Sequence, residues 1–146
     1  MQVDFYHLTA MPLERALPQI AEKVLASGAR LLIVAADEGL RANLDRLLWT
    51  YSAESFLPHA QLGAGDDEAQ PILLAPDVNA ANRARTIALA DGEWRDAALD
   101  FDRAFFFFDE ARIQPARSAW KVLKDREGVR PRYWKQNEQG RWEQAA

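Results

Sequence analysis

Along residues 113–124, IQPARSAWKVLK, the cations Arg117, Lys121 and Lys124 recur at spacings of four and three, while Ile113, Ala116, Trp120 and Leu123 recur at three, four and three. Both series are helical, so an apolar face and a row of positive charge run side by side. Trp120 falls on the border, where a large ring with one polar N–H can be half in a core and half the wall of a cleft. Cations beside such a wall hold a carboxylate through charge-assisted hydrogen bonds and leave the ring for an apolar end. The chemistry is recognition of an acidic ligand with a hydrophobic end. The plainer alternative is a solvated basic helix face.

A second group lies in LLWTYSAESFLPH, residues 47–59, where Trp49, Tyr51 and Phe56 stand among Thr, Ser, Ala and Glu at the end of a helical leucine pattern. Either these rings fold back onto the core or a partner covers them. The remaining candidates lead to no chemistry. The acidic triplet 66–68 beside glycines reads as a solvated loop, because hard-cation sites need ligands converging from several segments. His7 and His59 stand alone, and His7 reads as a satisfied strand residue. There is no HExxH pair and no GxSxG elbow, and without cysteine there is no thiolate nucleophile, disulfide or zinc-thiolate site. No catalytic residue, cofactor or metal is expected.

The 146 residues suit one domain able to bury a sizeable core. The net charge of −4 is uneven: residues 1–110 carry −9 and residues 111–146 carry +5. The last quarter is thus a basic patch on an acidic body, which attracts anions of any class. No run approaches a membrane span and the start MQVDFYHL has no signal-peptide pattern, so a cytoplasmic protein without a membrane partner is expected.

These groups need elements to position them. Residues 3–8 alternate as a strand with Val3, Phe5 and His7 on one face. A helix follows, with Leu13, Leu17, Ile20, Val24 and Leu25 inward, a stop at Gly28, and a kink or break at Pro18. The apolar run 29–36 predicts a strand covered on both faces, and Asp37 predicts a helix cap before Leu40, Leu44, Leu47 and Leu48. Further strands are predicted at 72–75, 86–90 and 103–108. A helix from about 110 to 127 has Pro115 as its alternative start, and two short strands about NEQG end the chain. In FFFF, residues 105–108, two rings go to each face, as in a central strand between helix layers.

The order of elements predicts an α/β fold: a single three-layer domain with a largely parallel central sheet flanked by helices. Its topology is Rossmann-like but without a nucleotide-binding loop, since LTAMPLE after the first strand has no glycine to let a backbone approach phosphate.

The blocks FYHL, LDRLLWTYSAESFLPH and ARSAWKVLK, in this order and spacing, resemble the chi subunit of the bacterial DNA polymerase III holoenzyme, and the likeness runs over nearly the whole chain. The resemblance implies one chi-like domain over 1–146, with its basic helix and tail from about 110. It implies a non-catalytic adaptor that joins the psi subunit of the clamp loader to the acidic, phenylalanine-ended C-terminal tail of single-stranded DNA-binding protein, and so reaches DNA only indirectly. The psi contact would fall on Trp49 and Phe56, with Leu57 adjoining. The tail site would fall on Arg117, Trp120, Lys121 and Lys124, with a strand residue near Phe106. Two positions depart from the family pattern: Trp120 replaces a tyrosine, and a family lysine falls on Ile113, leaving Arg112 next door as a substitute. Two other readings stand beside this one. Trp120, Tyr133, Trp134 and Trp142 could stack the bases of a single-stranded nucleic acid, against the repulsion of the acidic body; an unrecognised hydrolase would lack a nucleophile.

Overall fold

The computed structural model describes residues 1–51 and 57–146. Along the chain these residues form β1 (Gln2–His7), α1 (Leu13–Ala26), β2 (Leu31–Val34), α2 (Glu38–Thr50), β3 (His59–Gln61), β4 (Ile72–Ala75), β5 (Thr86–Leu89), β6 (Arg103–Phe108), α3 (Ile113–Lys124), β7 (Arg130–Gln136) and β8 (Trp142–Gln144). The strands form one sheet in the order β3-β4-β2-β5-β6-β1-β7-β8, parallel throughout except for the β7–β8 hairpin. The predicted α/β class with a largely parallel sheet holds. β3 is the one strand with no counterpart among those read from the sequence.

Sheet order fixes which face each helix covers. From β1 the chain crosses through α1 toward β2, on one side of the sheet order; from β6 it crosses through α3 to β7, in the opposite direction and over β1. Crossovers of one hand that run in opposite directions lie on opposite faces. Accordingly, α1 and α2 pack against Tyr6, Leu31, Ile33, Phe105 and Phe107, whereas α3 packs against Val3, Phe5, Phe106 and Phe108. The alternation predicted for FFFF is observed. Those four rings and Phe5 are each at most 2% exposed, and burying a phenylalanine contributes about 1.5–3 kcal/mol.

The helix ends follow the sequence, with one exception inside α1. Asp37 caps α2, its Oδ2 accepting the Leu40 N–H at 2.8 Å. Gly28 ends α1 at φ +83°, a conformation costly for other residues. α3 begins at Ile113 after a 3-10 turn, Glu110–Arg112, which puts Pro115 in the first helical turn, where its missing N–H breaks no bond. Of the kink or break predicted at Pro18, the break does not occur; α1 runs continuously from Leu13 to Ala26. A proline inside a helix costs about 3 kcal/mol. Burial of Leu17, Pro18, Ile20 and Val24 on one face more than offsets that.

Candidate functional site

The α3 surface realises the predicted division of core and charge. Ala116 and Leu123 are buried, Ile113, Ala119 and Trp120 are partly buried, and Arg117, Lys121 and Lys124 are exposed. Among the described residues, none of these three cations has a hydrogen-bond or ion-pair partner. Each is free to meet an anion. Val122, 62% exposed, adds apolar surface on the same helix.

Trp120 rests on the strand that α3 crosses. Its ring stands edge-on to Phe5, centroids 5.3 Å apart at 83°, and edge-on to Tyr133 at 5.8 Å and 87°. Phe5 in turn lies nearly parallel to Tyr133, 6.4 Å away at 14°, and to Trp94, 6.4 Å away at 11°. Three partly exposed rings, Trp94, Trp120 and Tyr133, therefore surround one buried phenylalanine. Phe106 lies beneath them, fully buried against Phe5, Trp94 and Phe108. It supports this surface without reaching solvent. Tyr133 bridges to His7, Oη lying 3.2 Å from Nδ1, and burial pushes its phenol up from the usual value while nearby Arg117 works against that rise. His7 is buried on β1 and stacked on Phe108 at 5.0 Å. Its Nε2 lies 2.7 Å from Glu110 Oε1 without hydrogen-bond geometry, so the satisfied histidine expected from the sequence is met at Nδ1 alone.

Arg112 sits apart from the row. Its methylenes cross Gly92, where an added Cβ would lie 2.7 Å from Arg112 Cγ, and at φ +73° glycine is doubly required there. Arg112 also lines a cleft of about 490 Å3 at the carboxyl ends of β1, β5 and β6, together with Glu14, Asp91 and Asp109. Open parallel sheets bind nucleotides at such places. Here the loop after β1 offers no cradle: the Ala10 and Met11 N–H groups are both taken by Gln136 Oε1, at 3.1 and 2.7 Å. Among the described residues, no cluster of His, Asp and Glu could hold a metal ion, and no helix is long and apolar enough to cross a membrane.

Of the second group of rings, Trp49 and Tyr51 lie on the α2 side, the other face. Trp49, near the end of α2, is 54% exposed, with the buried His59 ring 4.4 Å from its own. His59 is fixed between the carbonyl oxygens of Leu57, 2.6 Å from Nδ1, and Asp45, 2.9 Å from Nε2. Leu57 is 2% exposed and packs in the core with Leu44 and Leu48, so it underlies this surface. Tyr51 is partly buried against the same core. Phe56 lies outside the described residues. The four rings considered for base stacking divide between the faces: Trp120 and Tyr133 pack with the α3 side, Trp134 and Trp142 with the α1 side. They do not form one platform.

Sequence reasoning missed Trp94, and it named Tyr133 only as a ring for stacking bases, not as a neighbour of Phe5 and Trp120. Trp94 sits in a loop with no periodicity to betray it, held by Asp96 accepting its Nε1–H at 2.8 Å and by the neighbouring Asp91–Arg95 ion pair at 2.8 Å. Tyr133 is placed beside Phe5 by the parallel register of β1 and β7. No local pattern announces a pairing of segments so far apart.

Residues 1–130 match the family described as DNA polymerase III chi subunit, HolC. The chain is 30% identical over 114 residues to DNA polymerase III subunit chi of Escherichia coli (strain K12), covering 76% of this chain and 78% of that one. It is 33% identical over 76 residues to DNA polymerase III subunit chi of Pseudomonas aeruginosa, covering 50% and 52%. To the probable DNA polymerase III subunit chi of Rickettsia prowazekii it is 26% identical over 88 residues, covering 60% and 53%.

Proposed function

The chain belongs to the DNA polymerase III chi subunit family, and from that premise we propose that it is a non-catalytic adaptor of the replicative polymerase. In this reading it joins the psi subunit of the clamp loader to the acidic C-terminal tail of single-stranded DNA-binding protein, in the cytoplasm. Residues 1–146 act as one chi-like domain.

One observation carries the adaptor reading: the two candidate surfaces lie on opposite faces of the sheet, α2 with Trp49 on one and α3 with Trp120 on the other. Two partners can then bind at once without competing for area. For psi, the reading takes Trp49 and Phe56 as anchors, with Leu57 packed below. Large rings rimmed by polar residues suit interface anchors. For the tail, Arg117, Lys121 and Lys124 meet carboxylates while Trp120 flanks the terminal phenylalanine. Phe106 supports that pocket from within, and Arg112, over Gly92 and apart from the row, has the lesser part.

Calorimetric titration tests the tail half of this reading with three peptides: an acidic tail ending in phenylalanine, the same peptide without its last residue, and one with its acids neutralised. The full peptide should bind best, and loss of the phenylalanine should weaken it more than a rise in salt does, because apolar burial is not screened. Equal binding of full and truncated peptides would reduce α3 to a solvated basic face.

A further inference from the structure

The helices on the α1 side leave part of their face open. Where β6, β1, β7 and β8 lie side by side, strand alternation and register turn Arg103, Gln2, Asp4, Arg130, Arg132, Trp134, Trp142 and Gln144 to that face. Asp4 is fully buried and accepts from Arg103 Nη2 at 2.9 Å, Arg132 Nε at 2.9 Å and Trp134 Nε1 at 3.1 Å. The Arg103 guanidinium lies 4.6 Å over the Phe105 ring and that of Arg132 lies 5.3 Å over Trp134. Both guanidinium groups are thus fixed in place, yet their side chains keep 43% and 34% of their area exposed. Arg130 is exposed, and among the described residues its side chain has no partner.

Three arginines face one carboxylate on these strands, which makes the patch positive on a largely acidic body. Its rings are placed as well as its charges. Trp134 lies parallel to Tyr6, 6.3 Å away at 11°, and Trp142 stands edge-on to Tyr6 at 5.0 Å, each half-buried. A sheet face that presents aromatic rings among cations is the arrangement by which single strands are held, bases against rings and phosphates against charges.

We propose that this open strand face is a binding site for single-stranded nucleic acid, distinct from the α3 surface and from the Trp49 surface. The rings decide the ligand class. An acidic peptide with one apolar end needs one ring, as proposed for Trp120, whereas two rings on the neighbouring strands β7 and β8 suit successive bases, and a duplex keeps its bases in the stack. A direct contact of this kind goes beyond the indirect route through a partner protein and does not depend on the adaptor reading.

The test is fluorescence anisotropy of a labelled thymidine oligonucleotide with the full chain, at several salt concentrations. Engagement of three arginines predicts that log affinity falls against log salt with a slope of about −2, from about 0.7 per phosphate neutralised on a single strand. Arg130→Gln should weaken binding about fivefold and flatten the slope by about 0.7. Lys135→Gln removes the same charge from the opposite face of the same strand, where Tyr133 and Lys135 point, and should leave binding within about twofold. Thermal melts of both variants report whether the fold is intact. The proposal is overturned if the wild type shows no salt-dependent binding, if Lys135→Gln weakens it as much as Arg130→Gln, or if a duplex of equal length binds as well. Loss of acidic-peptide binding on Arg130→Gln would also overturn it, by making the peptide the occupant.

Discussion

Trp120 on α3 stands edge-on to Phe5 on β1, centroids 5.3 Å apart at 83°, so the ring beside the basic row is seated on the central strand. An edge-to-face pair contributes about 0.5–1.5 kcal/mol beyond the area it buries. Trp120→Ala should therefore destabilise the fold by about 2 kcal/mol, less than full burial would cost because the ring is half-exposed, and should weaken the acidic peptide at least tenfold. Trp120→Tyr, which restores the residue type of the family pattern, should retain most of both. Urea melts and peptide calorimetry read the two effects. A tyrosine variant as weak as alanine in both would mean that the seat on Phe5 does not set the ring's role.

The exposed cations should separate binding from folding. Arg117→Ala and Lys121→Glu are expected to change stability by no more than about 0.5 kcal/mol, since neither side chain has a partner to lose. Peptide affinity should nevertheless fall about tenfold or more, the usual effect of removing a charged hydrogen-bond partner. Arg112→Ala should matter less, under about threefold, because that side chain lies over Gly92 and the cleft rather than in the row. Calorimetry on all three variants ranks them. Arg112→Ala as the most damaging change would move the carboxylate site to the cleft.

What was legible in the sequence is what is local. The helical spacing of Arg117, Trp120, Lys121 and Lys124 and the alternation of FFFF each depend on a few neighbouring residues and one backbone geometry, and both survive into the structure. A break at Pro18 is what propensity alone gives, because the burial that keeps α1 continuous around it is not local. β3 was missed because three residues at a sheet edge show no period. The Asp4 cluster depends on partners 99 and 128 positions away, set by register alone. The positions of Trp94 and Tyr133 were hidden for the same reason: what places them beside Phe5 is the sheet and a loop tie, not spacing along the chain.

Trp49 offers the clearest contrast with Trp120. With 54% of its area exposed, its truncation should cost folding only about 1 kcal/mol, the contact with His59 included. If the ring anchors psi, Trp49→Ala should cost about 2 kcal/mol or more in that association. Differential scanning calorimetry of the free variant and pull-down with psi decide between the roles. A folding loss of several kcal/mol would make Trp49 a core residue.

Asp4 makes a prediction about acid. Burial alone would push its carboxyl up, but donation from Arg132, Trp134, Gln2 and Arg103 outweighs burial and holds it below the usual carboxylate value. Asp91 behaves alike, burial being overcome by Arg95 and by the N–H groups of Ala36 and Glu93. A group depressed in the folded state contributes stability that is fully present above its unfolded value, about 3.9, and that is lost as pH falls through the folded one. The melting temperature should hence be flat from neutral pH to about 5 and drop below about 4. Asp4→Asn keeps the shape but removes the charge. It should cost about 2 kcal/mol or more at neutral pH, short of the 3–5 kcal/mol for a fully buried pair because the arginines left behind are 43% and 34% exposed and can be hydrated. It should also flatten the acid limb, since one of the groups that titrates there is gone. Melts of both proteins between neutral pH and about pH 3 test this, and an Asp4→Asn limb as steep as that of the wild type would show that other carboxylates carry the acid response.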